Sequence, residues 1–282
     1  MAPPVARLDP LAVRRTLRDA GLRARPERSQ NFLADPEVLQ AILDVAAPAK
    51  GERILEIGPG LGILTGGLLE AGARVTAVEL DAGLAAYLRV ALAPPFERGA
   101  LTLIEGDALD LQLNRLVSPP FAVIANLPYH ITSPILHRFL DAEPRPSRLV
   151  LMLQAEVAER IAAAPGRMSY LSVFVQYHAA VRIALRVGPE AFEPTPKVAS
   201  AVVVLEPRAS RPLDTDREAE LWRLVQAGFR ERRKMLRNVL PRQLPHLGER
   251  LDGALGAIGI DGDRRPQTLS VGEWIALLDA LR

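Results

Sequence analysis

The chain has 282 residues, 49% of them hydrophobic and 24% charged, with a formal net charge of +2. This balance predicts a soluble, cytoplasmic protein with one large and one small domain, and we expect a monomer because no long apolar stripe suggests an obligate dimer. No apolar run approaches the roughly 18 residues of a membrane span, and the N-terminus lacks the apolar core of a secretory signal. The absence of cysteine excludes disulfides and thiolate chemistry, and the four dispersed histidines favour no metal site.

The charge is unevenly distributed along the chain. Residues 1–30 carry seven arginines against three acidic residues, residues 31–210 carry fifteen basic against nineteen acidic residues, and residues 211–282 carry thirteen against eleven. A basic N-terminal arm over 1–30 and a basic tail suit a polyanion held at the edges of a site. A generally arginine-rich composition explains the same counts, since the chain has only three lysines. Charge alone leaves both explanations open.

The first half of the chain alternates between short apolar runs typical of strands and stretches with helical periodicity. The strand-like runs are 53–57, 74–79, 101–104, 121–125 and 148–153, and helical stretches at 61–71 and 81–93 lie among them. This alternation predicts an α/β fold in which a mostly parallel sheet is covered by helices on both faces.

The later part of the chain changes character. Two strand-like runs, 181–187 and 201–205, have no obvious helix between them and predict a hairpin that closes the sheet edge with one antiparallel strand. A linker by composition follows at 206–212, and the pattern beyond it is helical. We therefore expect one domain over 31–208 and a helical C-terminal domain over 209–282.

A glycine-rich turn follows the first predicted strand, with the sequence Gly-Pro-Gly-Leu-Gly at 58–62. Such a turn lets the backbone approach a ligand, and the amides of the next helix favour a negative group. A dinucleotide fingerprint requires glycine at Ile63, so this one is incomplete. Glu79 ends the second predicted strand, where a carboxylate accepts ribose hydroxyls, and Asp107 ends the third, where it accepts from an adenine amino group. These features favour S-adenosylmethionine over NAD.

Four residues after the apolar run 121–125 suit the presentation of an amine on a flat ring. Asn126 offers a side-chain oxygen, and Pro128 fixes the backbone so that a carbonyl of Leu127 or Pro128 points into a pocket. Two such acceptors draw the amine hydrogens out of the ring plane and free the lone pair for attack. Tyr129 offers a ring face for base stacking. No dedicated general base is evident.

The chain resembles the ribosomal RNA adenine dimethyltransferases, a family that includes the kasugamycin-resistance and macrolide-resistance enzymes. The matching blocks are 30–33, 56–62, 79–81, 107–108, 126–129, 191–198 and 229–238. The resemblance implies a Rossmann-like class I methyltransferase domain with a seven-stranded sheet and a small all-α, RNA-binding C-terminal domain. It also implies dimethylation at N6 of two adjacent adenines in small-subunit ribosomal RNA, with the immature small subunit as partner.

The resemblance further assigns residues to the cofactor and to the target base. The implied S-adenosylmethionine site comprises Asn31, Leu33, Gly58, Gly60, Glu79, Asp107, Ala108 and Asn126. The target adenine would be held by Asn126, the Leu127 and Pro128 backbone and Tyr129, with Phe192 covering its other face. The alternative for Tyr129 and Phe192 is that they are ordinary core aromatics.

A set of basic residues near the start of the C-terminal domain recurs at three- and four-residue spacing. Its members are Arg230, Arg233, Lys234 and Arg237. On one helix they would form a stripe for RNA phosphates. Five arginines of the arm would join this surface: Arg14, Arg15, Arg23, Arg25 and Arg28. The alternative is a solvated helix face.

Other functions remain open at this point. The kasugamycin-type enzymes usually have glycine at the position of Ser29. Serine at this position is found in the macrolide-resistance enzymes, which dimethylate one large-subunit adenine. The basic block at 232–234 and its helical tail favour the kasugamycin type. DNA adenine methylation is a third possibility, although Leu127 departs from the Pro-Pro pattern of those enzymes. A non-catalytic assembly or transcription factor is a fourth, against which intact Asn126 and Tyr129 argue.

Overall fold

A computed structural model describes residues 9–25, 30–141 and 143–282. They form two compact units. The first comprises the described residues up to Ala158 together with Val181–Pro207, and the second comprises Glu159–Ala180 and Arg208–Arg282. The segment Glu159–Ala180 was expected in the first domain. It lies in the second because Val173 and Tyr177 pack in that unit's apolar core.

The strands form one large sheet and one short ladder. In chain order they are β1 (Phe32–Leu33), β2 (Arg53–Ile57), β3 (Arg74–Glu79), β4 (Leu101–Glu105), β5 (Ala122–Asn126), β6 (Leu149–Gln154), β7 (Ala179–Val187), β8 (Phe192–Glu193) and β9 (Ser200–Pro207). The large sheet has the order β4-β3-β2-β5-β6-β9-β7, and β1 pairs with β8. Strands β2 to β6 run parallel, while β9 is antiparallel to β6. The predicted mostly parallel, seven-stranded sheet is confirmed.

The chain also forms twelve α-helices in the part that the structure describes. They are α1 (Pro10–Asp19), α2 (Pro36–Ala46), α3 (Ile63–Glu70), α4 (Ala82–Ala91), α5 (Ala93–Glu97), α6 (Thr132–Asp141), α7 (Ala155–Ile161), α8 (Tyr170–His178), α9 (Thr215–Arg230), α10 (Leu236–Gln243), α11 (Gly248–Ala257) and α12 (Val271–Ala280). Within the described ranges, none has both the length and the apolar character that a membrane crossing requires.

Burial of both sheet faces explains the continuous apolar runs of the central strands. Ile54 and Leu55 of β2 and Val123 and Ile124 of β5 expose none of their surface. Parallel strands covered by helices on both sides need apolar side chains in both directions. From β2 the chain continues to β3 and β4 on one side of the sheet, whereas β5 and β6 lie on the other side of β2. The strand order therefore reverses between β2 and β5. Ligand sites of open α/β sheets form beyond the carboxyl ends of the strands at such a reversal.

Part of the predicted basic arm is a helix of the first unit. Val13 and Leu17 of α1 pack in one apolar cluster with Phe32, Leu61 and Leu84. Residues 1–8 and 26–29, which include Arg28 and Ser29, lie outside the described part of the chain.

The second unit is helical, but the prediction that residues 230–237 lie on a single helix is wrong. Helix α9 ends at Arg230 and α10 begins at Leu236. The chain turns between them because the Leu236 N–H donates to the Arg264 carbonyl at 2.9 Å and the Arg237 N–H donates to the Gly262 carbonyl at 3.1 Å. These bonds replace the hydrogen bonds of a continuous helix.

Candidate active site

A cavity of about 260 Å³ lies where strands β2 to β5 of the first unit end. Its wall includes all eight predicted cofactor residues and four of the five predicted base-holding residues, with Asn126 belonging to both sets. These are Asn31, Leu33, Gly58, Gly60, Glu79, Asp107, Ala108, Asn126, Leu127, Pro128 and Tyr129. The segments that carry them are far apart in the chain, and the parallel topology brings them to one edge of the sheet.

The glycine-rich turn forms one wall of the cavity with left-handed backbone. Gly58 and Gly60 have φ of 69° and 59°, which side chains rarely adopt. A Cβ on Gly60 would meet the Phe32 ring at 3.1 Å, and one on Gly58 would meet the Pro128 ring at 3.4 Å. The turn therefore presents bare backbone to the cavity while other residues pack directly against it.

Glu79 ties the glycine-rich turn to the end of β3. Its Oε2 accepts the Gly60 N–H at 3.1 Å, and its Oε1 accepts the Asp81 N–H at 2.9 Å. The side chain is buried, and burial raises the pKa of Glu79 although the two backbone donors oppose that shift. Each carboxylate oxygen has a second lone pair with which to accept a ligand hydroxyl.

Asp107 lies in the turn after β4. Its Oδ1 accepts the Leu109 N–H at 2.7 Å, which fixes the carboxylate at the cavity wall. This local bond is typical of aspartate in a turn and leaves further acceptor capacity for a ligand.

The segment after β5 is held by its backbone. The Leu127 N–H donates to the Met152 carbonyl at 3.1 Å, and Pro128, with φ −56°, precedes a short 3₁₀ helix, Tyr129–Ile131. The Pro128 carbonyl accepts the Ile131 N–H at 3.2 Å. Of the two predicted carbonyl acceptors, the Pro128 oxygen thus already accepts one hydrogen bond inside the turn and keeps one lone pair.

Phe192 is placed differently from the sequence expectation. It is 1% exposed, pairs with Leu33 in the β1–β8 ladder and packs in the core of the first unit, and it does not line the cavity. The expected cover over the second face of an adenine is therefore not formed in this arrangement. The ladder holds β8 by its backbone and turns the Phe192 ring into the core.

Two arginines of the arm form ion pairs near the cavity. Arg14 donates from Nε and Nη2 to the two carboxylate oxygens of Glu193 at 2.8 and 2.9 Å. Arg25 Nη1 lies 3.1 Å from Asp81 Oδ2. These two side chains, expected on a phosphate surface, instead join the arm to acids beside the site. Arg15 is exposed and free of any ion pair within the described residues.

The predicted RNA-binding residues lie in the second unit around the turn between α9 and α10. Arg230, Arg233 and Lys234 are exposed, and so is Arg232 between them. Arg237 forms an ion pair with Asp263 at 2.7 Å. We call Arg232, Arg233 and Lys234 the cationic loop. Glu231 anchors it, because its carboxylate accepts from Arg242 at 3.0 Å and from Gln243 at 3.2 Å.

The structure adds two residues that sequence reasoning missed. Glu56 lines the cavity at 1% exposure, and Thr65 Oγ1 donates to its Oε2 at 2.7 Å. Burial raises the pKa of Glu56 to about 8. The sequence feature that could have identified Glu56 is its position as the only acidic residue inside the apolar run of β2. Ser200 hydrogen-bonds the Tyr129 hydroxyl at 2.9 Å, and a serine at a strand start gives no sequence signal.

Comparisons with known proteins identify a family and relatives that the chain resembles over most of its length. The family profile described as "Ribosomal RNA adenine dimethylase" matches residues 21–282. The chain is 45% identical to "Ribosomal RNA small subunit methyltransferase A" of Geobacter sulfurreducens, over 94% of this chain and 98% of the relative. It is 40% identical to the protein of the same name from Pseudomonas putida, over 92% and 95%.

Solved structures with a similar fold include two transferases. The 23S rRNA methyltransferase ErmE superposes with a TM-score of 0.72 at 29% identity, covering 89% of this chain and 99% of that one. A dimethyladenosine transferase from Plasmodium falciparum superposes with a TM-score of 0.71 at 26% identity, covering 87% and 95%.

Proposed function

The chain belongs to the ribosomal RNA adenine dimethylase family, and we propose that it dimethylates N6 of two adjacent adenines in small-subunit ribosomal RNA. The protein is a methyltransferase whose cofactor is S-adenosylmethionine, as the sequence predicted. One observation carries the proposal. The residues expected to bind the cofactor and Asn126, Leu127, Pro128 and Tyr129 share one cavity.

The residues of the cavity fit S-adenosylmethionine. Bare backbone at Gly58 and Gly60 allows close approach, while Glu79 and Asp107 keep acceptor capacity for ribose hydroxyls and an adenine amino group. When bound, the cofactor supplies an electrophilic methyl group attached to a sulfonium.

We propose that Asn126 and the Leu127 carbonyl hold the target amine. The Asn126 side-chain oxygen and the Leu127 carbonyl each accept one amino hydrogen, which pulls the nitrogen lone pair out of conjugation with the ring. The ring of Tyr129 stacks on the base and sets its distance from the methyl group. Positioning then supplies most of the rate, and the proton leaves the methylated nitrogen for solvent after the N–C bond has formed.

The small subunit is favoured over the large subunit by the comparisons. Relatives named for the small subunit are 40% and 45% identical over more than nine tenths of the chain, whereas ErmE, named for 23S rRNA, is 29% identical. Methylation of a large-subunit adenine is the second candidate. A purely non-catalytic role is disfavoured because Asn126 and Tyr129 both face the cavity.

The second unit would supply electrostatic affinity for RNA. We propose that Arg230 and the cationic loop contact phosphates, since these cations are exposed and carry no ion pair within the described residues. We further propose that the protein acts as a monomer in the cytoplasm, on immature small subunits.

Mapping the methylated nucleotide tests the function directly. The protein is incubated with labelled S-adenosylmethionine and immature small subunits, large subunits or free DNA, and labelled nucleotides are located by primer extension and mass spectrometry. We expect N6,N6-dimethyladenosine at two neighbouring positions of small-subunit RNA. Label in large subunits or DNA alone, or in no substrate, would overturn the proposal.

A further inference from the structure

The hydroxyl groups of Tyr129 and Ser200 share a hydrogen bond of 2.9 Å. Tyr129 is half-buried and lines the cavity, whereas Ser200 is 1% exposed and has no part in the function proposed above. A buried serine that binds the tip of a cavity-lining aromatic ring is placed to control where that ring lies.

Ser200 reaches the cavity edge because of the direction of β9. Strands β5 and β6 are parallel and end at this edge, so their last residues, Asn126 and Gln154, lie there. Strand β9 is antiparallel to β6 and therefore begins at the same edge, with Ser200 opposite Gln154. Since neighbouring strands lie about 4.8 Å apart, β9 is roughly 10 Å from β5, a gap that Tyr129 bridges.

The hydrogen bond holds the Tyr129 ring at its far end. The near end is already constrained by Pro128 and by the 3₁₀ helix Tyr129–Ile131. With both ends held, the side chain cannot swing to another rotamer without breaking the bond to Ser200. Stacking alone would be served equally by phenylalanine, so the phenol oxygen adds orientation and not stacking surface.

A role for the Tyr129 hydroxyl as a proton acceptor fits the geometry poorly. Burial raises the pKa of Tyr129, although the Ser200 hydrogen bond opposes that shift, so the phenolate is disfavoured. The hydroxyl is also engaged with Ser200. Orientation of the ring is the function left for this pair.

We propose that Ser200 is a positioning residue, whose hydroxyl fixes the Tyr129 ring so that a stacked adenine presents its amino group to Asn126. The inference rests on the proposed function, because it requires a base to bind against Tyr129. It adds a residue outside the cavity wall to those that determine the rate.

A double-mutant cycle on the full-length protein tests this pairing. We expect Ser200→Ala and Tyr129→Phe each to lower kcat on small subunits by about three- to tenfold, the size of one lost hydrogen bond. The KM for S-adenosylmethionine should stay unchanged, and the double variant should be no slower than either single variant. A purely structural role would lower the melting temperature without this kcat pattern.

Two further variants complete the design. Ser147→Ala removes a partly buried hydroxyl that donates to the Phe121 carbonyl at 3.0 Å, at the opposite ends of β5 and β6, and should leave kcat unchanged. Ser200→Thr keeps a hydroxyl and should retain most activity. If its added methyl group destabilises the fold, Tyr129→Phe still decides the test, because it leaves β9 intact.

Unchanged kcat in both single variants, or losses that multiply in the double variant, would overturn the role of Ser200. Failure of the proposed function is a separate result. If the wild-type protein methylates large subunits or DNA instead, the proposed substrate is wrong. The wild type, Ser200→Ala, Tyr129→Phe and the double variant are then compared on the substrate that the wild type does methylate.

Discussion

The cavity of the first unit and the cationic loop of the second hold their ionisable side chains in opposite ways. In the cavity, Glu79 and Glu56 are buried and each carboxylate is hydrogen-bonded to neighbouring protein groups. In the loop, Arg232, Arg233 and Lys234 are exposed, and the turn that carries them is held by the Glu231 side chain and by the backbone of Leu236 and Arg237. Charges in a buried site act strongly at short range, whereas exposed charges act weakly and are screened by salt. Changes in the two regions should therefore differ in size and in salt dependence.

The largest effect is expected at the cavity wall. Asn126→Ala removes one of the two acceptors for the target amine and should lower turnover by about 10²- to 10³-fold, as loss of a preorganised polar group does in other enzymes. The Kd for S-adenosylmethionine, measured by calorimetry, should change only several-fold. Asn114→Ala is the control, since it removes a buried asparagine that bonds the Pro144 carbonyl away from the cavity. A near wild-type methylation rate in Asn126→Ala would contradict this role.

The next effect concerns stability and its dependence on pH. The pKa of Glu56 is about 8 in the folded protein against 4.5 for a free carboxyl group, so the folded state binds the proton more tightly. The free energy of unfolding should then fall as pH rises from about 4.5 to 8, by up to about 1.4 kcal/mol per pH unit. Glu56→Gln lacks this titration. Its stability relative to wild type, measured by urea unfolding, should increase across the same window.

Glu52 provides a control of opposite sign. Burial opposes its ionisation, but Arg148 and the Ala49 N–H together outweigh burial and lower the pKa of Glu52. Its stabilising contribution is therefore present above the pKa of a free carboxyl group and is lost as pH falls. Glu52→Gln should lose stability relative to wild type at neutral pH and recover it under acidic conditions.

The Glu56 prediction has its own contradicting outcome. Parallel curves of unfolding free energy against pH for Glu56→Gln and wild type would show that Glu56 is ionised in the folded protein.

A smaller, salt-dependent effect is expected at the cationic loop. The double variant Arg233→Glu, Lys234→Glu should weaken RNA binding and reduce the slope of log Kd against log salt concentration by about one for each phosphate that the loop no longer neutralises. The Kd for S-adenosylmethionine should not change. Arg223→Glu with Arg250→Glu alters net charge equally at exposed positions outside the loop. An equal change of slope in both variants would mean that net charge, and not the loop, governs binding.

The smallest effect is expected where α1 meets β8. Arg14→Met removes an exposed ion pair with Glu193, whose neighbour Phe192 pairs with the cavity residue Leu33. We expect a small rise in the KM for S-adenosylmethionine, which Glu193→Gln reproduces and the double variant does not enlarge. Arg15→Met, on the same helix, should have no effect. Additive losses in the double variant would show that the two side chains act independently.

The sequence allowed the cavity wall to be predicted because its residues follow strands of one parallel sheet. Glu79, Asp107 and Asn126 each end a strand or follow one directly, and parallel strands end at a common edge. Ser200 could not be found in this way, since it begins an antiparallel strand whose pairing partner is not encoded locally. Phe192 was misplaced because the ladder between β1 and β8 joins residues about 160 positions apart.

The helix expected over 230–237 failed for a similar reason. Its residues have helical spacing, but the turn at 231–235 is set by carbonyls of Gly262 and Arg264, about thirty residues downstream. Local periodicity contains no information about such partners. The segment Glu159–Ala180 likewise joins the second unit through packing that only the tertiary structure reveals.

The bonds from Leu236 and Arg237 to the carbonyls of Arg264 and Gly262 have a practical consequence for protein engineering. A chain shortened near residue 258 would keep every cation of the loop and lose the support that shapes it. Such a deletion would also remove Leu269, Trp274 and Leu277 from the apolar core of the second unit, so a loss of RNA affinity would report lost support for the loop and not lost contacts. The last two dozen residues therefore support the shape of a loop that precedes them in the chain.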